Sequence, residues 1–198
     1  MSRRSLAVLV FGALVAALVA AFGVAPACSR HDGGADGVPV DVEIMAFLSE
    51  ARALHHAANM KEEASDLAGA TAAMERLVAA PRPHPERKGA ASPPEVEEVL
   101  ADAYARLAEL RLKKGEVDLA AAAVKGGLEH VAEPTYFRGH LLEVQGLIEE
   151  TRAAQLADAG QPAEAARARE QAIVLLEEVV KIQEQVIQRS LANDGGPR

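Results

Sequence analysis

From Glu95 to Pro134 the apolar residues recur at steps of three and four. Val96, Val99, Leu100, Ala103, Leu107 and Leu110 make one stripe of a helix,. Lys114-Gly115-Glu116 then breaks the pattern, and Val117, Ala120, Ala121, Val124, Leu128 and Val131 begin a second stripe. The pair reads as a helical hairpin. Ser92 is expected to cap the first helix, with Pro93 in the first turn and Glu95 completing a capping box. Gly115 is expected to end that helix at positive φ, with Lys113 and Lys114 favourable in its last turn. The small residues Ala120 to Ala123 allow two backbones to approach closely.

The same logic runs through the chain on either side. Asp41 to Ala80 carries a stripe of Ile44, Phe47, Leu48, Ala51, Leu54 and Ala58, with Asp41 as the cap,. Ser65 to Val78 resembles a turn and a second helix, which would divide this region in two, but no Gly or Pro breaks Asn59 to Asp66, so one long helix is the alternative. Prolines at 81, 83 and 85 exclude helix from the following segment, so Ala79 to Pro94 reads as a long surface loop,. Pro134-Thr135 opens a third hairpin, with Phe137, Leu141, Val144, Ile148 and Thr151 on one face. Ala159-Gly160-Gln161-Pro162 is its turn, and Ala163 to Leu191 reads as one long helix. The predicted fold is all-α: antiparallel hairpins stacked side by side over residues 41–192, with a compact helical bundle as the alternative. Residues 193–198 are expected to be a disordered tail.

The central hairpin resembles the tetratricopeptide repeat. The resemblance rests on Tyr104, Leu107, Ala108, Gly115, Ala120, Val124 and Leu128,. Arg111 and Gly127 depart from that pattern, and Pro134 falls late. The resemblance implies stacked hairpins and a partner-binding groove lined by the first helix of each pair. It therefore implies a non-catalytic scaffold or adaptor that binds another protein. With Ser65, Gly115 and Gly160 as equivalent turns, the family's inner-face offsets fall on His55, Asn59 and Glu62, then Asp102, Glu109 and Lys113, then Glu150 and Asp158. Acids outnumber bases in this set, so a negative groove and a basic or mixed-charge guest are expected. Reversing Asp102 and Glu109 to Lys is expected to leave folding intact.

Residues 1–27 have a different character. Arg3 and Arg4 precede an apolar run from Leu6 to Phe22, and small residues follow: the pattern of a secretory signal peptide,. The two arginines read as ordinary n-region charge rather than a twin-arginine signal. Ala25-Pro26-Ala27-Cys28 resembles a bacterial lipobox, which implies a lipidated Cys28 and a membrane anchor. Ordinary cleavage and an uncleaved anchor are the alternatives. Residues 28–40 are polar and rich in Gly and Asp, as a flexible tether would be. Ser29 after the cysteine points to the outer membrane by the usual sorting rule of lipoproteins. The expected address is thus the cell envelope, on the periplasmic face of the outer membrane, and the expected partner is another envelope protein.

Composition narrows the chemistry. The net charge is −8 and the pI about 5.3, which argues against nucleic acid as a partner. A single cysteine excludes an internal disulfide,. His55 and His56 are adjacent and would point about 100° apart on a helix, so they do not form a chelating pair. No nucleophile elbow, phosphate loop or calcium loop is present. The acidic pairs Glu149-Glu150 and Glu177-Glu178 read as solvated faces. Neither an enzyme nor a cofactor or metal site is expected, and a small-ligand site is the lesser alternative. The last helix has more apolar surface than one face requires: Ile173, Leu176, Val180 and Ile187, with Ala172, Val179 and Val186 alongside. That surplus serves either to cap the final hairpin or to meet a partner or a second copy.

Overall fold

The computed structural model describes residues 41–84 and 92–194. Six helices follow one another: α1 Val42–Glu63, α2 Leu67–Val78, α3 Pro94–Lys113, α4 Val117–Leu128, α5 Tyr136–Asp158 and α6 Pro162–Asp194. They pair as three antiparallel hairpins, α1–α2, α3–α4 and α5–α6. The hairpins stack: α3 packs on α1 and α2, and α5 packs on α3 and α4. α1 and α6 do not meet, so the helices form an open stack rather than a closed bundle.

The three hairpin turns are built alike. Ser65, Gly115 and Gly160 have φ of 62°, 78° and 73°. In each, the next residue's N–H reaches back five residues: Asp66 to Lys61 at 2.8 Å, Glu116 to Arg111 at 2.9 Å and Gln161 to Leu156 at 2.9 Å. This is the Schellman closure, and it satisfies carbonyls that a helix end leaves free. Serving the left-handed position is easy for Gly115 and Gly160 and costly for Ser65.

Measured from these turns, the packing also repeats. Seven residues before each turn lies Ala58, Ala108 or Ala153, and five after it lies Ala70, Ala120 or Ala165; all six are buried. Fourteen before lies Ala51, Ala101 or Gly146, again buried. Small side chains at these places let the helices of each hairpin close on one another. The larger core residues fill between hairpins: Met74 and Leu77 from α2, Leu100, Leu107 and Leu110 from α3, Val124 from α4, and Leu141, Val144 and Ile148 from α5.

The departures in the central hairpin have local explanations. An added Cβ on Gly127 would lie 2.5 Å from Leu141 Cδ2 and 2.9 Å from Tyr104 Cβ, so no larger residue fits there. Arg111 ties neighbouring elements together: its guanidinium donates to Glu75 of α2 at 3.0 Å and to the Leu119 carbonyl of α4 at 3.1 Å. Tyr104 stacks on His130, which pairs with Glu97 at 2.5 Å.

Asp41 caps α1, accepting from the amides of Glu43 and Ile44 at 3.1 and 3.2 Å. Thr135 caps α5 by accepting from Arg138 N–H at 3.2 Å. The expected cap of α3 is corrected: the cap residue is Pro93, without a side-chain bond, and the helix starts at Pro94. A residue before proline is held extended, so Pro94 pins Pro93 outside the helix and moves the start one residue on. The tail is corrected too, since α6 continues through Asn193 and Asp194. Residues 195–198 lie outside the described residues. In the loop after α2, His84 has φ of 56° and folds back on the start of α1, 2.5 Å from Asp41 Oδ2.

The two apolar rows expected on the last helix have separate fates. Ala172 is buried and Val179 and Val186 partly so, with Leu175 and Ile182 beside them against α5. Ile173, Val180 and Ile187 remain more than half exposed, and Leu176 is half-buried. Gly146 admits Leu176, and Gly139 admits Gln183, into the α5–α6 seam. Beyond Pro134, whose carbonyl accepts from Arg189 at 3.2 Å, α6 outruns its partner.

Candidate binding face

Contacts between the first helices run in the same order along each helix: His55, Asn59 and Glu62 of α1 meet Asp102, Arg106 and Lys113 of α3, and His140 near the start of α5 meets Asp102 and Glu109. The three first helices therefore run parallel and present one side to a common face. On α1 that side carries Met45, Leu48, Arg52, His55, Asn59 and Glu62. On α3 it carries Val99, Asp102, Arg106, Glu109 and Lys113. On α5 it carries Tyr136, His140, Glu143 and Leu147. Each set follows the three- and four-residue steps of one helix stripe,.

The face has two halves. Toward the C-terminal ends of α1 and α3, charges are paired among themselves. Arg106 bridges the helices, donating to Glu62 and Asn59 of α1 and to Glu109 of its own helix. Lys113 also donates to Glu62. His140 of α5 lies between Asp102, with Nδ1 to Oδ1 at 3.8 Å, and Glu109, with Nε2 to Oε1 at 3.2 Å. Asp102 and Glu109 together push the His140 pKa up to about 9 despite its burial,. Lys113 and then Arg106 hold the Glu62 carboxyl below its usual range. Burial raises the Glu109 carboxyl, but its bonds to His140 and Arg106 outweigh that and lower it. His55, 3.7 Å from Asp102, moves the other way: burial lowers its pKa against the pull of Asp102. Protonated, His140 is thus the cation that serves Asp102, while His55 stays neutral.

Toward the N-terminal ends the face opens into a cleft of about 400 Å³. Leu48, Ala51, Val99 and Phe137 form its apolar lining, with Arg52, His55 and Asp102 at its polar side. Met45 and Tyr136 lie beside it on the same stripes, 55% and 56% exposed. Among the described residues, no ion pair bridges α1 and α3 at this end as Arg106 does at the other.

Six of the eight inner-face positions named from the sequence, His55, Asn59, Glu62, Asp102, Glu109 and Lys113, come together on this face. Glu150 continues the α5 stripe one turn beyond Leu147, and Asp158 lies about two turns further along the helix; both are exposed, and neither has an ion pair among the described residues. Part of the expected acidic excess is neutralised, since Glu62, Asp102 and Glu109 are met by Arg106, Lys113 and His140, while Glu143 and Glu150 on the α5 stripe have no ion pair among the described residues. The contacts of Glu109 bear on the expected tolerance to reversing Asp102 and Glu109. Glu109 holds both Arg106 and His140, and a lysine there would leave three cations facing one another. The sequence reading missed Arg106 and His140. Arg106 was findable, being one turn from both Asp102 and Glu109; His140 required knowing how α5 sits on α3.

Cys28, the signal peptide and the tether lie outside the described residues. No group of three or more metal-binding side chains occurs among the described residues, and none of the described helices is long and apolar enough to cross a membrane. Comparisons with protein-family models, with curated proteins and with solved structures found no match.

Proposed function

We propose that the protein is a non-catalytic adaptor of tetratricopeptide-like architecture whose parallel first helices hold a segment of another protein. The observation that carries this reading is the division of the face. One half satisfies its own charges across α1, α3 and α5 and so fixes the three helices relative to one another. The other half leaves a preformed cleft, apolar within and polar at the rim, as a recognition groove requires. The guest anchors an apolar side chain between Leu48, Val99 and Phe137 and meets Arg52 and Asp102 at the edge.

The N-terminal pattern supports placing this adaptor in a bacterial envelope, tethered through lipidated Cys28 and facing the periplasm from the outer membrane. Stable anchoring requires more than one acyl chain, as a mature lipoprotein carries. Metabolic labelling with a lipid precursor should mark the wild type and not Cys28→Ala; equal labelling of both would contradict the anchor.

The binding reading is tested by a pull-down from solubilised envelopes. A discrete protein should be retained by the wild type and lost with Arg52→Glu combined with Met45→Glu. Both positions are exposed, so the fold should be unaffected. Retention of the same proteins by wild type and variant would overturn the assignment of the cleft.

A further inference from the structure

We infer that the outward face of α6 is a second docking surface, and that it fits a basic amphipathic helix of a partner protein. Ile173, Val180 and Ile187 recur every seven residues along α6, and Leu191 lies one turn beyond. On a helix these four project within a narrow arc. They are 57%, 58%, 55% and 62% exposed. The last hairpin of a stack normally turns a polar face outward, since nothing packs beyond it. Here the outward side is apolar over about five turns, and exposed apolar area of that extent marks an interaction surface.

The charge beside the stripe decides what covers it. Glu170, Glu177 and Glu184 recur with the same seven-residue period and border it along one edge. All three are exposed, and none has an ion pair among the described residues. Among the described residues of α6, Arg169 and Lys181 are the basic residues near this row, and Lys181 lies beyond it. An apolar seam edged by acid matches a helix with an apolar seam edged by Lys or Arg, the arrangement by which helix pairs choose partners. A second copy of this chain does not match. An antiparallel pair centred on Val180 would bring Ile173 of one copy to Ile187 of the other, but it would also set Glu177 against Glu184. A parallel pair would set each glutamate against itself.

Two synthetic helical peptides with the same apolar heptads test this, one flanked by lysines and one by glutamates, titrated into the purified full chain. The lysine-flanked peptide should bind about tenfold tighter or more, the difference shrinking with salt. Glu170→Lys, Glu177→Lys and Glu184→Lys combined should invert the preference, which non-specific stickiness cannot mimic. Equal binding of both peptides, or of neither, would overturn the proposal. So would a concentration-dependent dimer in sedimentation that Val180→Glu abolishes, because the stripe would then belong to a second copy.

Discussion

α4 and α6 hold the same place in their hairpins. Each follows a positive-φ glycine and runs back along its partner, yet α4 has 12 residues and α6 has 33. The difference follows from their neighbours. α4 is clamped between α3 and α5, so its length and side-chain sizes are limited, and Gly126 and Gly127 give way to Tyr104 and Leu141. Among the described helices, α6 packs on α5 alone. Released from the second neighbour, it runs past the start of α5 by roughly 12 Å at the helical rise and keeps an apolar row in solvent. An element enclosed on two sides has its sequence set by packing. An element enclosed on one side has freedom that function can use.

Truncating apolar residues on the two kinds of surface should separate them most sharply. Leu141→Ala, at the junction of α3, α4 and α5, should lower stability by about 2–5 kcal/mol in denaturant melts. Val180→Ala on the outward side of α6 should change it by less than about 0.5 kcal/mol. A large loss from Val180→Ala would mean that α6 is covered within the chain.

Glycines refine the comparison. Gly127→Ala should cost about 1–3 kcal/mol, because its Cβ collides with Leu141 and with the root of Tyr104,. Gly146→Ala meets the Leu176 side chain, Cδ2 at 3.2 Å and Cγ at 3.3 Å, with the Ala172 carbonyl at ordinary contact, 3.7 Å. There the gain in helix propensity, about 1 kcal/mol, should offset the crowding. Thermal melts should therefore fall for Gly127→Ala and stay level or rise for Gly146→Ala. The reverse order would contradict the tight α4 seam.

A smaller effect distinguishes the paired half of the binding face. The His140 pKa is raised from 6.5 to about 9. Its contribution is therefore fully present below about pH 6.5 and is lost as pH rises through about 9. His55, lowered by burial, acts oppositely and weakens the fold as pH falls below its free value. Between pH 6.5 and 9 the wild type should lose more stability than His140→Gln, measured by denaturant titration at each pH. Parallel profiles would show that the α3–α5 link does not depend on the charge of His140.

Much of the fold was legible because helices and turns are local. The apolar steps of three and four marked the helices apart from the division between α1 and α2, which stayed open, and Gly115 and Gly160 marked two turns outright. Ser65 was found only by its place between two stripes, since serine does not advertise a positive φ. The start of α3 went astray at Pro93-Pro94, where the constraint of one proline on the residue before it outweighed a capping pattern. The candidate face was legible in part. Offsets from the turns located residues on each helix, because helix geometry fixes direction. Offsets could not tell which charges neutralise one another, because that depends on how hairpins stack. His140 was invisible for that reason, whereas Arg106, one turn from both Asp102 and Glu109, could have been read from the sequence.

The central claim is that a partner segment lies over the cleft between α1, α3 and α5. Site-specific photo-crosslinking tests it most directly. A crosslinking residue replaces Arg52 at the rim, or Leu119, half exposed on α4 away from the cleft, and the cells are irradiated. The account predicts a discrete crosslinked product from position 52 that is absent from position 119. No product at 52, or the same product from both positions, would contradict it.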